Sequence, residues 1–197
     1  MKTWGEIKDE ALGLMFANNS GGVKVTTKDA SVQEYVINMA AAANYAIRDL
    51  SGVVPILRYF TYNQKGTDAD GVMRLDMRDM VDDFRAFAPS SDDMLLAGIK
   101  TASSYLIIPK RGEIAAEVPY YAYAQTIDAE TPDDQDIGMD PVCEDLIPLY
   151  MASRLYTEDD VQLATMYRNQ YEARRAELMQ TADYGDGGGF VNTTGWY

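Results

Sequence analysis

The densest set of chemically capable side chains is the run DAETPDDQDIGMD, where Asp133, Asp134, Asp136 and Asp140 surround Gly138. Carboxylates this close together suit a hard cation. An EF-hand-type loop, however, needs oxygen ligands at alternate positions, glycine at the sixth and a bidentate Glu at the twelfth. With Gly138 in sixth place the first ligand is Asp133 and the twelfth is Glu144, but Gln135 and Ile137 fill the next two ligand positions. The spacing favours a solvated acidic connection over a calcium site. Paired carboxylates also perform glycoside hydrolysis, yet nothing sets one pair apart from the other acids of this chain.

Composition narrows the remaining chemistry. There is no histidine, which removes the commonest general base, every Ser-His or Cys-His nucleophile and the usual zinc ligand sets. The single cysteine, Cys143, forbids an internal disulfide. It stands beside Glu144 with no cationic neighbour in sequence to lower its pKa, and reads as structural or incidental. Gly185 to Gly189 resembles a phosphate loop only in its glycines: it follows a helical pattern rather than a strand and lacks the Gly-Lys-Ser/Thr ending, so a flexible linker is the better reading. The sequence therefore offers no catalytic, cofactor-binding or metal-ligating residue, and points away from an enzyme.

Net charge is -14, from 31 acidic and 17 basic residues, so the summed field repels nucleic-acid phosphates. Such a surface suits a basic partner, or a passage through which DNA slides without sticking. The opening MKTWGEIKDE lacks the basic flank and apolar run of a secretory signal, and no stretch approaches the length of a membrane span. No membrane association is expected. With 197 residues and 47% hydrophobic content, the chain can bury a core without metals or disulfides.

Helical spacing frames both ends. Thr3 and Glu6 form a capping box before Ile7, Ala11, Leu14 and Met15, with Asn18, Asn19 and Gly21-Gly22 ending the run. Ser31 and Glu34 precede a longer stripe of Val32, Tyr35, Val36, Met39, Ala43, Ile47 and Leu50, closed by Ser51-Gly52. The Ala40 to Ala43 run permits close approach of another helix, read as one of the same chain. Near the other end, Asp140-Pro141 has the form of a helix cap with proline at the first position, and Pro148 kinks or restarts the helix. Thr157 with Asp160 reads as the cap of a last helix from Glu158 to about Gln180, bearing Val161, Ala164, Met166, Tyr167, Tyr171 and Leu178.

Between these ends the period falls to two. Strands are expected from Ile56 to Tyr62, Val72 to Met77, Ser103 to Ile108 and Glu113 to Tyr123, with Lys110-Arg111-Gly112 turning between the last two. Pro119 places the fourth strand at an edge or a bulge. The pattern gives no element for Arg78 to Asp93. The expected class is α+β: a helical bundle with a central inserted small β-sheet or sandwich and a flexible C-terminal arm. The expected divisions are residues 1–52 (N-terminal helices), 53–127 (β-rich insertion), 128–181 (helices completing the bundle) and 182–197 (extended arm). That arm carries Phe190, Val191, Trp196 and Tyr197 after three glycines, an aromatic set suited to anchoring an interface.

The order of pieces is itself informative: an N-terminal Thr-Trp-Gly-Glu-Ile helix, a helix ending AANYAIRDL, a strand-rich middle, then LIPLYMASRLYTEDD followed by an Ala-containing helix with NQYE, and a terminal Gly195-Trp196. In this order, and most in Asp140 to Leu178, the chain resembles the head-tail connector (adaptor, or neck) proteins of tailed bacteriophages. The resemblance implies a virion protein made in the host bacterial cytoplasm. It also implies a homo-oligomeric ring, commonly twelve-fold, between the portal protein and the next neck or tail-completion protein, with genomic DNA passing through the lumen without sequence-specific binding. By the same likeness the arm clasps the portal through Phe190, Trp196 and Tyr197, with Val191 beside them. The rival expectation, from the acidic charge, is an inhibitor that mimics DNA and occupies a basic nucleic-acid-binding protein. A carboxylate-based hydrolase is the third.

Overall fold

The structure, a computed structural model, describes residues 1–16, 25–65, 70–110 and 112–185, with side chains to residue 180. It is α+β, with two small three-stranded antiparallel sheets inserted between helices. Two compact units divide the chain: a helical unit of Met1–Val54 together with the chain from Thr126 onward, and a β unit of Pro55–Gln125.

The helical unit is organised around α6 (Ile147–Leu155), which packs against α1 (Trp4–Phe16), α2 (Gln33–Val53) and α7 (Val161–Gly185). Seven consecutive residues of α6, from Ile147 to Ser153, are buried, the signature of a helix enclosed on all sides rather than amphipathic. Ala42, Ala43 and Ala46 of α2 are buried, and α2 packs on α6 and α7, so the alanine run serves an approach within the chain.

The start of α1 shows why these residues stop and start helices where they do. Thr3 and Glu6 form the expected capping box: the Glu6 carboxylate accepts from the Thr3 amide at 2.8 Å, and the Glu6 amide donates to Thr3 Oγ1 at 3.3 Å. The other two free amides of that turn, Trp4 and Gly5, donate to the carbonyls of Gln135 and Asp133, both at 2.8 Å. Thr3 and Asp136 form a β-bridge beside them. The acidic connection is thus a loop, as expected, with its charges outward, but its backbone caps a helix. At the far end of α1, the Tyr167 hydroxyl donates to the Leu14 carbonyl at 2.6 Å. The expected Asn and Gly stop at 18–22 lies outside the described residues.

Two other expected caps are corrected. Ser31 lies inside a short 3-10 turn, Ala30–Val32, and makes no capping box with Glu34. Asp29 orders the turn by accepting from the Thr26 amide, while Gln33 donates to the carbonyls of Thr27 and Asp29. Likewise Asp160, not Thr157, caps α7, accepting from the amides of Gln162 and Leu163 at 3.0 Å; Thr157 donates back into the end of α6. The helix begins at Val161 instead of Glu158 and continues to Gly185, past the division expected at 181. Asp140 does cap α5 (Pro141–Glu144), and Pro148 sits in the first turn of α6, so the helix restarts rather than kinks.

The β unit has strand orders β1-β6-β3 and β2-β5-β4, with β1 Ile56–Gln64, β2 Val72–Asp76, β3 Phe84–Phe87, β4 Lys100–Ala102, β5 Tyr105–Pro109 and β6 Ile114–Ala122. Both sheets contribute to one core, which includes Tyr62, Phe84, Leu106, Ile108, Val118 and Tyr120. The segment from Arg78 to Asp93 holds most of α3 (Met77–Met80), all of β3 and the start of α4 (Asp92–Leu96). The strands on either side of the expected turn, β5 and β6, belong to different sheets. Pro119 lies in the central strand, which overturns the edge expectation. Its carbonyl accepts from Ala88, on the side where β3 runs out. A strand residue's amide and carbonyl point to the same side, so the position lacking an amide falls at the end of the β3 ladder, where a single bond is forgone.

Candidate interaction surfaces

Phe190, Val191, Trp196 and Tyr197, the expected interface anchors, lie outside the described residues. The expected acidic set is described and disperses into separate roles. Asp133 pairs with Lys8 while its carbonyl caps α1, and Asp140 caps α5. Among the described residues no three carboxylate, thiol or imidazole groups gather as metal ligands. Cys143 is fully buried, and that burial, with Asp140 and Glu144 nearby, pushes its thiol up to about 11, which holds it in the unreactive thiol form.

A constellation that the sequence reading did not assemble lies on α2, α6 and α7. At its base, Tyr171 is fully buried and donates its hydroxyl to Asp49 Oδ2 at 2.6 Å. Arg175 grips the same carboxylate with two nitrogens of one guanidinium edge, Nε to Oδ2 at 2.7 Å and Nη2 to Oδ1 at 2.9 Å. Burial and the Asp49 carboxylate together push the Tyr171 hydroxyl far above its ordinary value, so it stays a donor. Arg168 lies 5.0 Å from the ring centroid of Tyr150 and pairs with Glu172 at 2.6 Å. Above these, Tyr45 projects from α2 between two arginines, Arg154 at 4.4 Å and Arg48 at 5.8 Å from its ring centroid.

Among the described residues neither Arg48 nor Arg154 has a carboxylate within ion-pair distance. Of the arginines in the helical unit, only Arg174 lies outside this cluster; the lysines lie elsewhere in sequence, at 2, 8, 24 and 28. A stacked guanidinium keeps its edge donors free for a carboxylate or phosphate while its face rests on an aromatic ring. The sequence signal was present in part: Arg168, Tyr171 and Arg175 share one face of α7 by spacing. Arg48 and Arg154 join them only through the packing of α2 on α6.

The β unit offers a different surface. β1 is an edge strand of nine residues pairing only with β6. Its outward residues include Leu57 and Tyr59, 48% and 57% exposed, opposite Tyr121 and Pro119. The helix α4 adds Leu96, 87% exposed.

No protein-family model matches this chain, and no curated protein sequence matches it. Among the described residues no helix is long and apolar enough to cross a membrane.

Proposed function

We propose that this chain is a structural virion protein, the head-tail connector (adaptor, or neck) subunit of a tailed bacteriophage. In this reading it is made in the host cytoplasm. Identical copies then close a ring, commonly twelve-fold in such connectors, between the portal and the next neck or tail-completion protein. Genomic DNA passes through the centre.

The observation that carries the reading is the exposure of large apolar side chains on both units, among them Ile37 and Val161 on the helical unit and Tyr59 and Leu96 on the β unit. A subunit that meets identical neighbours, and other proteins above and below, needs several such surfaces. Two further features support it. The α+β fold with a β insertion in a helical bundle is the arrangement the resemblance implies. The net charge of -14 suits a lumen that DNA traverses without sticking.

The DNA-mimic reading receives less support, because it needs rows of free phosphate-like charge. Here Asp76, Asp140 and Asp160 cap helices, and Asp49, Asp83 and Asp133 are bound to arginine or lysine. The arm with Phe190, Val191, Trp196 and Tyr197 is assigned to the portal. Truncation at Asp183 is expected to abolish binding to purified portal while leaving the rest folded; undiminished binding contradicts that assignment. For the whole reading, particles assembled without the chain are expected to be non-infectious and to regain infectivity when purified chain is added. Normal infectivity without it contradicts the proposal.

A further inference from the structure

We propose that the Arg48, Tyr45 and Arg154 surface is one half of a contact between copies of this chain, and that the acidic segment Glu130 to Asp136 of the next copy is its other half. The inference rests on the ring reading above and supplies the contact that closes the ring.

The receiving half is built rather than incidental. Arg48 on α2 and Arg154 on α6 face the ring of the exposed Tyr45 from two helices, and both guanidinium edges remain without a carboxylate among the described residues. Arg168 and Arg175, which line a groove with Tyr45 and Arg48, are already paired with Glu172 and Asp49. Arginine held on an aromatic loses less freedom on gripping a carboxylate than a lysine would.

The inserting half is equally prepared. Glu130, Asp134 and Asp136 are exposed and pair with no cation among the described residues, in a chain where Asp133 beside them already has Lys8. Their backbone is fixed by the bonds of Trp4 to Gln135, Gly5 to Asp133 and Ile137 to Lys2, so the loop is ordered before it meets a partner. The two halves share no residue and lie on different elements of one unit. A contact between them is therefore heterologous, which is the kind that generates rings.

DNA is the other polyanion that stacked arginines accept, and the surroundings weigh against it. Arg154 also lines a groove with Glu34, Glu158 and Asp159. A duplex carries a charge about every 1.7 Å and would run over those acids, whereas a short loop places its few carboxylates on the arginines alone.

A charge swap on the full-length chain tests this by sedimentation velocity at high protein concentration and low salt. Wild type is expected to self-associate, and less so as salt rises. Arg48→Glu with Arg154→Glu, or Glu130→Lys with Asp134→Lys and Asp136→Lys, is expected to weaken association on the order of tenfold or more. An equal mixture of the two variants is expected to restore it, because each then presents the charge the other lacks. Thermal unfolding verifies that both variants fold, and the milder pair Arg48→Gln with Arg154→Gln provides a second set if either does not. Wild type that stays monomeric, a mixture that fails to recover, or duplex DNA binding that the arginine variants abolish each overturns the proposal. Particle complementation that succeeds with wild type while these association results fail removes this contact and leaves the connector reading standing.

Discussion

The helical unit has two differently finished regions. Around the start of α1, every polar group the backbone exposes is taken up: Thr3, Glu6 and the carbonyls of Asp133 and Gln135 satisfy the first turn, and Lys8 holds Asp133. Around Tyr45, Arg48 and Arg154 meet no carboxylate among the described residues. Both regions are polar and rich in charge, yet one is closed on itself and the other is open. Closed polar networks add rigidity and stability, while open ones cost little to keep and give specificity to a partner. Substitutions in the first region should therefore appear as loss of stability, and those in the second as loss of association.

The largest effect is expected at Trp4, which is 3% exposed and lies at the closed end: Trp4→Ala should cost about 3–5 kcal/mol of unfolding free energy in a denaturant titration. Next is Asn44, whose side chain donates to the Ile127 carbonyl at 2.6 Å and accepts from the Ile127 amide at 2.9 Å, pinning the start of the returning chain onto α2. Asn44→Ala leaves both groups unpaired and should cost about 2–3 kcal/mol in the same measurement.

At Gly5 a methyl group would lie 3.0 Å from the Asp133 carbonyl, so Gly5→Ala should lose about 1–3 kcal/mol and loosen the loop in hydrogen exchange. The buried thiol of Cys143 keeps its proton more tightly than in the unfolded chain, 9.0 rising to about 11. Its contribution is fully present below pH 9 and is lost as pH rises through 11, a downturn that Cys143→Ala should flatten in a stability profile against pH. The smallest change is expected at the open region: Arg48→Ala and Arg154→Ala should each shift stability by no more than about 0.5 kcal/mol. A large loss there would break the contrast.

Local chemistry made the closed region largely legible. The Thr3–Glu6 and Asp140–Pro141 starts involve neighbours within a few residues, and both form. Thr157 misled because a better acceptor, Asp160, lies three residues on, and Ser31 because the chain makes a short 3-10 turn there before the helix begins. The strands β3 and β4 span four and three residues, too short for a period-two pattern to register. Pro119 depended on where a neighbouring strand ends, which is tertiary information. The arginine cluster draws on positions 48, 154, 168 and 175, brought together only by folding. The bonding of the acidic loop to α1 likewise joins positions about 130 residues apart, which no local window contains.

The most direct measurement is electron microscopy of particles assembled without this chain, before and after purified chain is added. The connector account predicts that a ring absent from the first set appears beneath the portal in the second, with density for both the helical and β units. A complete neck in particles that never contained the chain, or an added chain that leaves the neck unchanged, would contradict it.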